Sequence, residues 1–187
     1  MTALLTLEDV TKRYARDRRC EVTVLRRVSF ALAPGESVGV IGMERAGKST
    51  LLRILAGALA PDEGVVRFRE QPLSRLSDAK RAAIVRAAIG LADPATVAST
   101  RCERVVDHVA LPLLAAGASP REAGAAARRT LAQLGAAECA DLLPHELTRA
   151  ETVRVAVARA LVRDPEVLLF DEPAAMPRAD DIEAITR

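Results

Sequence analysis

The 187-residue chain has no tryptophan, one tyrosine and three phenylalanines. So few rings exclude the aromatic platforms on which single-stranded nucleic acids stack. The three cysteines, Cys20, Cys102 and Cys139, lie far apart and form no C-x-x-C pair. That spacing excludes a zinc set and a disulfide framework, and a reducing compartment is the simplest reading. An excess of one charge is also missing: 27 Lys and Arg face 25 Asp and Glu, for a formal net charge of +2. So even a balance gives no electrostatic case for nucleic acid or an anionic membrane. The pairs Arg18-Arg19, Arg26-Arg27 and Arg128-Arg129 read as solvated faces. No run approaches the roughly 20 apolar residues of a spanning helix, and the longest candidate, Val109 to Ala118, is interrupted by Pro112. Glu8 and Asp9 stand where a signal peptide needs an apolar core. What is there is half hydrophobic and 28% charged, the composition of a globular chain with a real core.

The pattern reads first as β. Leu4 to Val10, Val22 to Val28 and Ser29 to Leu32 are expected as short strands, with a turn at Pro34-Gly35. Glu36 to Ile41 is a β-branched run, expected as a strand that feeds a Gly-containing loop and a helix from about Lys48. A turn at Pro61 to Gly64 precedes a strand over Val65 to Phe68, and Ser77 to Ala88 looks helical. Between about Asp93 and Pro144 the chain becomes Ala- and Leu-rich with helical spacing. Ser119 with Glu122, and Thr148 with Glu151, each form a capping box opening a helix. Asp164-Pro165 ends the second of these, and Val167 to Phe170 reads as a buried strand with acids at its end. The order implies an α/β core carrying an inserted helical lobe.

The strongest motif runs from Gly42 through Met43, Glu44, Arg45, Ala46, Gly47 and Lys48 to Ser49, and satisfies G-x-x-x-x-G-K-[ST]. Glycines let backbone N–H groups curl around phosphate oxygens, a lysine neutralises the terminal phosphates, and the hydroxyl of Ser49 suits Mg²⁺. The helix that follows adds its positive end. The second motif is the strand ending in Asp171 and Glu172. At the carboxyl edge of a parallel sheet Asp171 suits the metal's surroundings, and Glu172 suits polarising a water.

In these residues the whole chain resembles the ATP-binding subunit of an ABC transporter. Leu147-Thr148-Arg149-Ala150-Glu151, followed by the helix from Val153 to Leu161, is similar to the family's signature L-S-G-G-[QE] and the helix after it. Gln71 to Ser77 and Val109 to Leu113 are similar to the branch serving lipoprotein release, macrolide export and cell division. The resemblance implies a phosphate-loop NTPase fold of the ABC type with an N-terminal antiparallel β subdomain. It implies one domain over 1–187, with a helical subdomain at about 93–147 and the C-terminal part of the usual domain missing. It implies Mg²⁺ and ATP held by Gly42, Glu44, Arg45, Ala46, Gly47, Lys48, Ser49 and Thr50, with Tyr14 stacked on adenine. Ser49 and Asp171 serve the metal, Glu172 is the catalytic residue, and Thr148 and Glu151 meet the nucleotide of a second subunit. The implied partners are a separate transmembrane subunit and a second ATP-binding subunit, identical or not, with no nucleic acid. The implied location is cytoplasmic, peripheral to the inner face of the cell membrane.

Departures from the family pattern bear on activity. Glu44 and Arg45 replace a small polar residue and a glycine, so strain is expected where φ > 0 is wanted. Arg149 and Ala150 replace both signature glycines. Ala92-Asp93-Pro94 stands where the Q-loop glutamine is expected, and Asp93 is a candidate water or metal contact. Pro173 to Arg178 lacks the family's Leu-Asp loop, and the switch histidine is absent from the chain. His108 and His145 are expected at the surface or in loops, without a catalytic role. The main reading is an ATP-binding subunit that couples Mg-ATP to a membrane partner. The alternative is a non-hydrolysing nucleotide-binding scaffold or regulatory subunit, and a phosphate-loop kinase or other soluble NTPase is a third reading.

Overall fold

Two long strands open the chain, β1 (Leu5–Asp17) and β2 (Cys20–Leu32), paired antiparallel. The computed structural model describes residues 3–17, 20–73 and 76–171, and the chain divides into two compact units, Met1–Val85 and Arg86–Arg187.

In the first unit β3 (Glu63–Phe68) pairs antiparallel with β1, and the short β4 (Gln71–Pro72) continues a sheet of order β2-β1-β3-β4. Alternation puts Leu5, Leu7, Val10, Val66 and Phe68 inside, each burial worth about 1.5–3 kcal/mol. Helix α1 (Lys48–Leu55) buries Leu51, Ile54 and Leu55 in the same unit, and α2 (Asp78–Ala88) runs past the unit's last residue, Val85. The sequence suggested separate strands meeting at Val28-Ser29. The structure carries them as one, because bulges absorb the irregularity. At the bulge Asp9 and Arg27 adopt φ of 49° and 47°. The displaced backbone N–H groups find side-chain acceptors instead, Asp9 N donating to Ser29 Oγ at 2.8 Å and Arg27 N to Thr11 Oγ1 at 3.1 Å.

The expected strand at Glu36–Ile41 is a correction. This run belongs to no strand, and Val38, Val40 and Ile41 are exposed. A β-branched run becomes a strand only when a neighbour takes its backbone hydrogen bonds, and among the described residues none pairs with it.

In the second unit β5 (Ile89–Ala92) and β6 (Val167–Phe170) pair in parallel, Ile89 opposite Val167 and Ala92 opposite Phe170. Gly90 is required there, since a Cβ would come within 2.6 Å of the Ala160 carbonyl oxygen. Between the strands run α3 (Pro94–Ala98), α4 (Val105–Leu114), α5 (Pro120–Gln133) and α6 (Arg149–Leu161). Their core joins Val97, Val105, Val109, Leu131 and Val155. Both capping boxes form as the sequence indicated, Ser119 with Glu122 and Thr148 with Glu151.

Candidate functional site

The phosphate-loop residues lie in the first unit, between Gly42 and the start of α1. A turn is closed by Ala46 N donating to Met43 O at 3.2 Å. Lys48 Nζ reaches back over it, donating to Gly42 O at 2.9 Å and Met43 O at 2.8 Å. The lysine therefore shapes the loop before any anion arrives. Gly47 is the N-cap of α1 at φ 93° and offers no side-chain acceptor to the first-turn N–H groups. Only glycine fits, because a Cβ would lie 2.9 Å from Val24 Cγ1 as well as in a left-handed conformation. Uncapped first-turn amides, a helix N-terminus and an ammonium are the components of an anion site. These residues fit a nucleotide phosphate.

Arg45 takes φ 63°, so the strain expected of a non-glycine residue is present, at a cost of roughly 1 kcal/mol. Glu44 and Arg45 are exposed, and neither has an ion-pair partner among the described residues. Ser49 and Thr50 follow Lys48 in the first turn of α1, both half-buried. Tyr14, on β1, is 41% exposed, and its hydroxyl lies 3.5 Å from Thr50 Oγ1. An accessible ring face beside the loop suits a base. Lys12 Nζ sits 5.8 Å from the ring centroid, a cation–π contact.

The other candidate residues lie in the second unit. Asp171 follows β6, and its N–H donates to Ala92 O at 3.0 Å. The parallel ladder thus extends one residue further and sets the carboxylate at the strands' carboxyl edge. Glu172 falls outside the described residues, as do Pro173 to Arg178.

Thr148 is the N-cap of α6, and Glu151 Oε2 accepts from both Thr148 N and Thr148 Oγ1 at 2.7 Å. Those hydrogen bonds, the side-chain one first, hold the Glu151 carboxyl below its ordinary range. The Thr148 hydroxyl also accepts from Glu151 N at 3.3 Å, and its own hydrogen is committed to Glu151 Oε2. Arg149, at the first helical position, is exposed and has no ion-pair partner among the described residues.

Asp93 has a structural role, and the expectation for His108 is revised. Asp93 caps α3, its Oδ1 accepting from Ala95 N at 2.9 Å, so the carboxylate performs local structural work. His108 is not a surface residue: it lies on α4 and is 3% exposed. Its Nδ1 is 2.9 Å from Thr100 Oγ1, while Nε2 has no hydrogen-bond partner. Burial, then the charge of Arg159, pushes the imidazole down to about 4. His145 is exposed, as expected.

No helix among the described residues is long and apolar enough to cross a membrane. Residues 25–175 match the ABC transporter family model. The chain is 36% identical to the lipoprotein-releasing system ATP-binding protein LolD of Geobacter metallireducens, over 97% of this chain and 81% of that protein. Among solved structures it is similar to the dimeric bacterial ABC transporter cassette MJ0796. That likeness has a TM-score of 0.85 at 28% identity and covers 97% of this chain and 79% of that one. It is also similar to CbiO1 of Clostridium perfringens, part of the transporter complex CbiONQ, with a TM-score of 0.74, 25% identity and coverage of 99% and 71%. The antiparallel sheet, the phosphate loop and the helical segments agree with the match, and the chain belongs to the ABC transporter family, as an ATP-binding cassette.

Proposed function

We propose that the chain binds and hydrolyses Mg-ATP as the energising subunit of a membrane complex like that of the lipoprotein-releasing relative. The observation that carries this reading is the loop Gly42–Ser49, shaped by Lys48 at the uncapped N-terminus of α1. In the proposed mechanism Lys48 and the first-turn amides bind the terminal phosphates, and Tyr14 stacks on the base. The Ser49 hydroxyl and the Asp171 carboxylate are hard oxygen donors suited to Mg²⁺, which when bound neutralises phosphate charge. Glu172 orients the attacking water and takes its proton. Thr148 and Glu151 face the nucleotide of a second cassette, identical or not. The whole acts from the cytoplasmic side of the membrane as one ABC-type domain.

Steady-state phosphate release by the purified chain tests hydrolysis. It is expected to be measurable and to fall at least about 100-fold in Glu172→Gln, the range of a lost general base. A non-hydrolysing scaffold is the second reading. One observation favours it: exposed Arg149 stands at the start of α6, where the helix's positive end already disfavours a cation. Wild-type release no faster than that of Glu172→Gln would select the scaffold.

Docking to a transmembrane subunit has a separate support. Val105, Val106 and Val109 are core, whereas Leu111 and Leu114 are 39% and 37% exposed. Three residues apart on α4, they share a face and expose an apolar patch. Replacing both with glutamate is expected to release the chain from membranes carrying its partner and to leave ATP affinity unchanged. Co-sedimentation with those membranes checks it, and retention of the double variant would remove α4 from the interface.

A further inference from the structure

β1 carries Tyr14 beyond the reach of β3. The pairing of β1 with β3 runs from Leu5 opposite Phe68 to Thr11 opposite Glu63, the first residue of β3. From Lys12 onward, among the described residues, β1 pairs with β2 alone, Tyr14 opposite Val22, with a register shift between Lys12 and Arg13. Asp62, immediately before β3, takes over on the open side. Its N–H donates to Thr11 O at 3.0 Å. Its Oδ2 accepts from Arg13 N at 2.6 Å, and its Oδ1 accepts from Lys12 Nζ at 2.8 Å. The carboxylate thus accepts the backbone hydrogen bond that a longer β3 would have accepted, and the Arg13–Glu63 ion pair flanks it.

A two-stranded ribbon is marginal in water, so what holds its open edge decides where its side chains point. The Tyr14 ring is exposed, and its hydroxyl makes one long contact, 3.5 Å from Thr50 Oγ1. A ring so little packed is placed by the backbone that carries it. Lys12 ties the same carboxylate to the ring's surroundings. Its side chain is 13% exposed, and an ammonium so far from water needs an anion. Without Asp62 it is expected to turn outward to solvent and leave the ring face it now approaches. We propose that Asp62 is a positioning residue: it fixes the arm of β1 at Lys12 and Arg13, and so sets the Tyr14 ring where a base stacks on it. The ring's role toward a base rests on the proposed function above. The hold on the arm does not.

Tyr14 is the only tyrosine and the chain has no tryptophan, so tyrosine emission reports this ring alone. Asp62→Ala deletes both side-chain acceptors. Asp62→Asn keeps one for Arg13 N without the charge that holds Lys12, and replaces the alanine variant if that one fails to fold. Two measurements on the full chain separate the steps. Without nucleotide, the emission anisotropy is expected to fall in Asp62→Ala and to recover in part in Asp62→Asn. In isothermal titration Mg-ATP is expected to bind Asp62→Ala about fivefold more weakly than wild type, the lower end of what a base gains from an aromatic face. Mg-tripolyphosphate, which has the phosphates and no base, should bind both equally. An unchanged anisotropy in Asp62→Ala overturns the proposal, and so does an equal loss of affinity for ATP and tripolyphosphate. A lowered anisotropy, with ATP affinity the same in Tyr14→Ala as in wild type, upholds the hold on the arm and overturns the role given to the ring.

Discussion

Lys48→Ala is expected to bind Mg-ATP at least about 100-fold more weakly than wild type, with the fold intact. Two losses combine. The ammonium is the cation of the loop, and a charge-assisted hydrogen bond is worth about 1.5–3 kcal/mol. The same group also ties Gly42 O and Met43 O together, so without it the loop amides are no longer held in one curvature. The side chain is only half-buried, and its alkyl stem makes a small contribution to the core. Thermal unfolding of the variant should therefore stay close to wild type. Isothermal titration with Mg-ATP measures the difference. Equal affinities in the two proteins would end the phosphate-loop assignment.

The loop was legible in the sequence because its chemistry is local: eight consecutive residues carry the glycines, the cation and the hydroxyl. The capping boxes at Ser119 and Thr148 were legible for the same reason, each needing two side chains three residues apart. What failed was non-local. Glu36–Ile41 has the composition of a strand, yet strand formation is decided by a neighbour elsewhere in the chain. His108 looked like a polar residue interrupting an apolar run, and only the packing of α4 with α6 turns that position inward.

Acidification from pH 6.5 to about 4 is expected to cost the folded chain about 3 kcal/mol through His108 alone. In the folded state burial keeps this imidazole neutral down to about pH 4, against an ordinary value of 6.5. Between those values the unfolded chain binds the proton and the folded one does not. The contribution is fully present above 6.5 and is lost progressively as pH falls toward 4, at about 1.4 kcal/mol per pH unit. Burial is the larger cause and Arg159 the smaller. Thr100 satisfies Nδ1 from the segment between α3 and α4, and Arg159 on α6, itself half-buried, repels an imidazolium. The carboxyls of Asp62, Glu122, Asp141 and Glu151 are lowered from ordinary values of 3.8 to 4.5. Each supports folding above its ordinary value and loses that support only as pH falls below it. The interval from 6.5 to 4.5 therefore reports on His108. His108→Gln is neutral at every pH and is expected to give a nearly flat profile there, from a starting stability ~1 kcal/mol lower. Urea unfolding at half-unit steps of pH measures both profiles. Parallel slopes in wild type and His108→Gln would show that the imidazole is hydrated in solution, and that α4 and α6 do not pack over it as described.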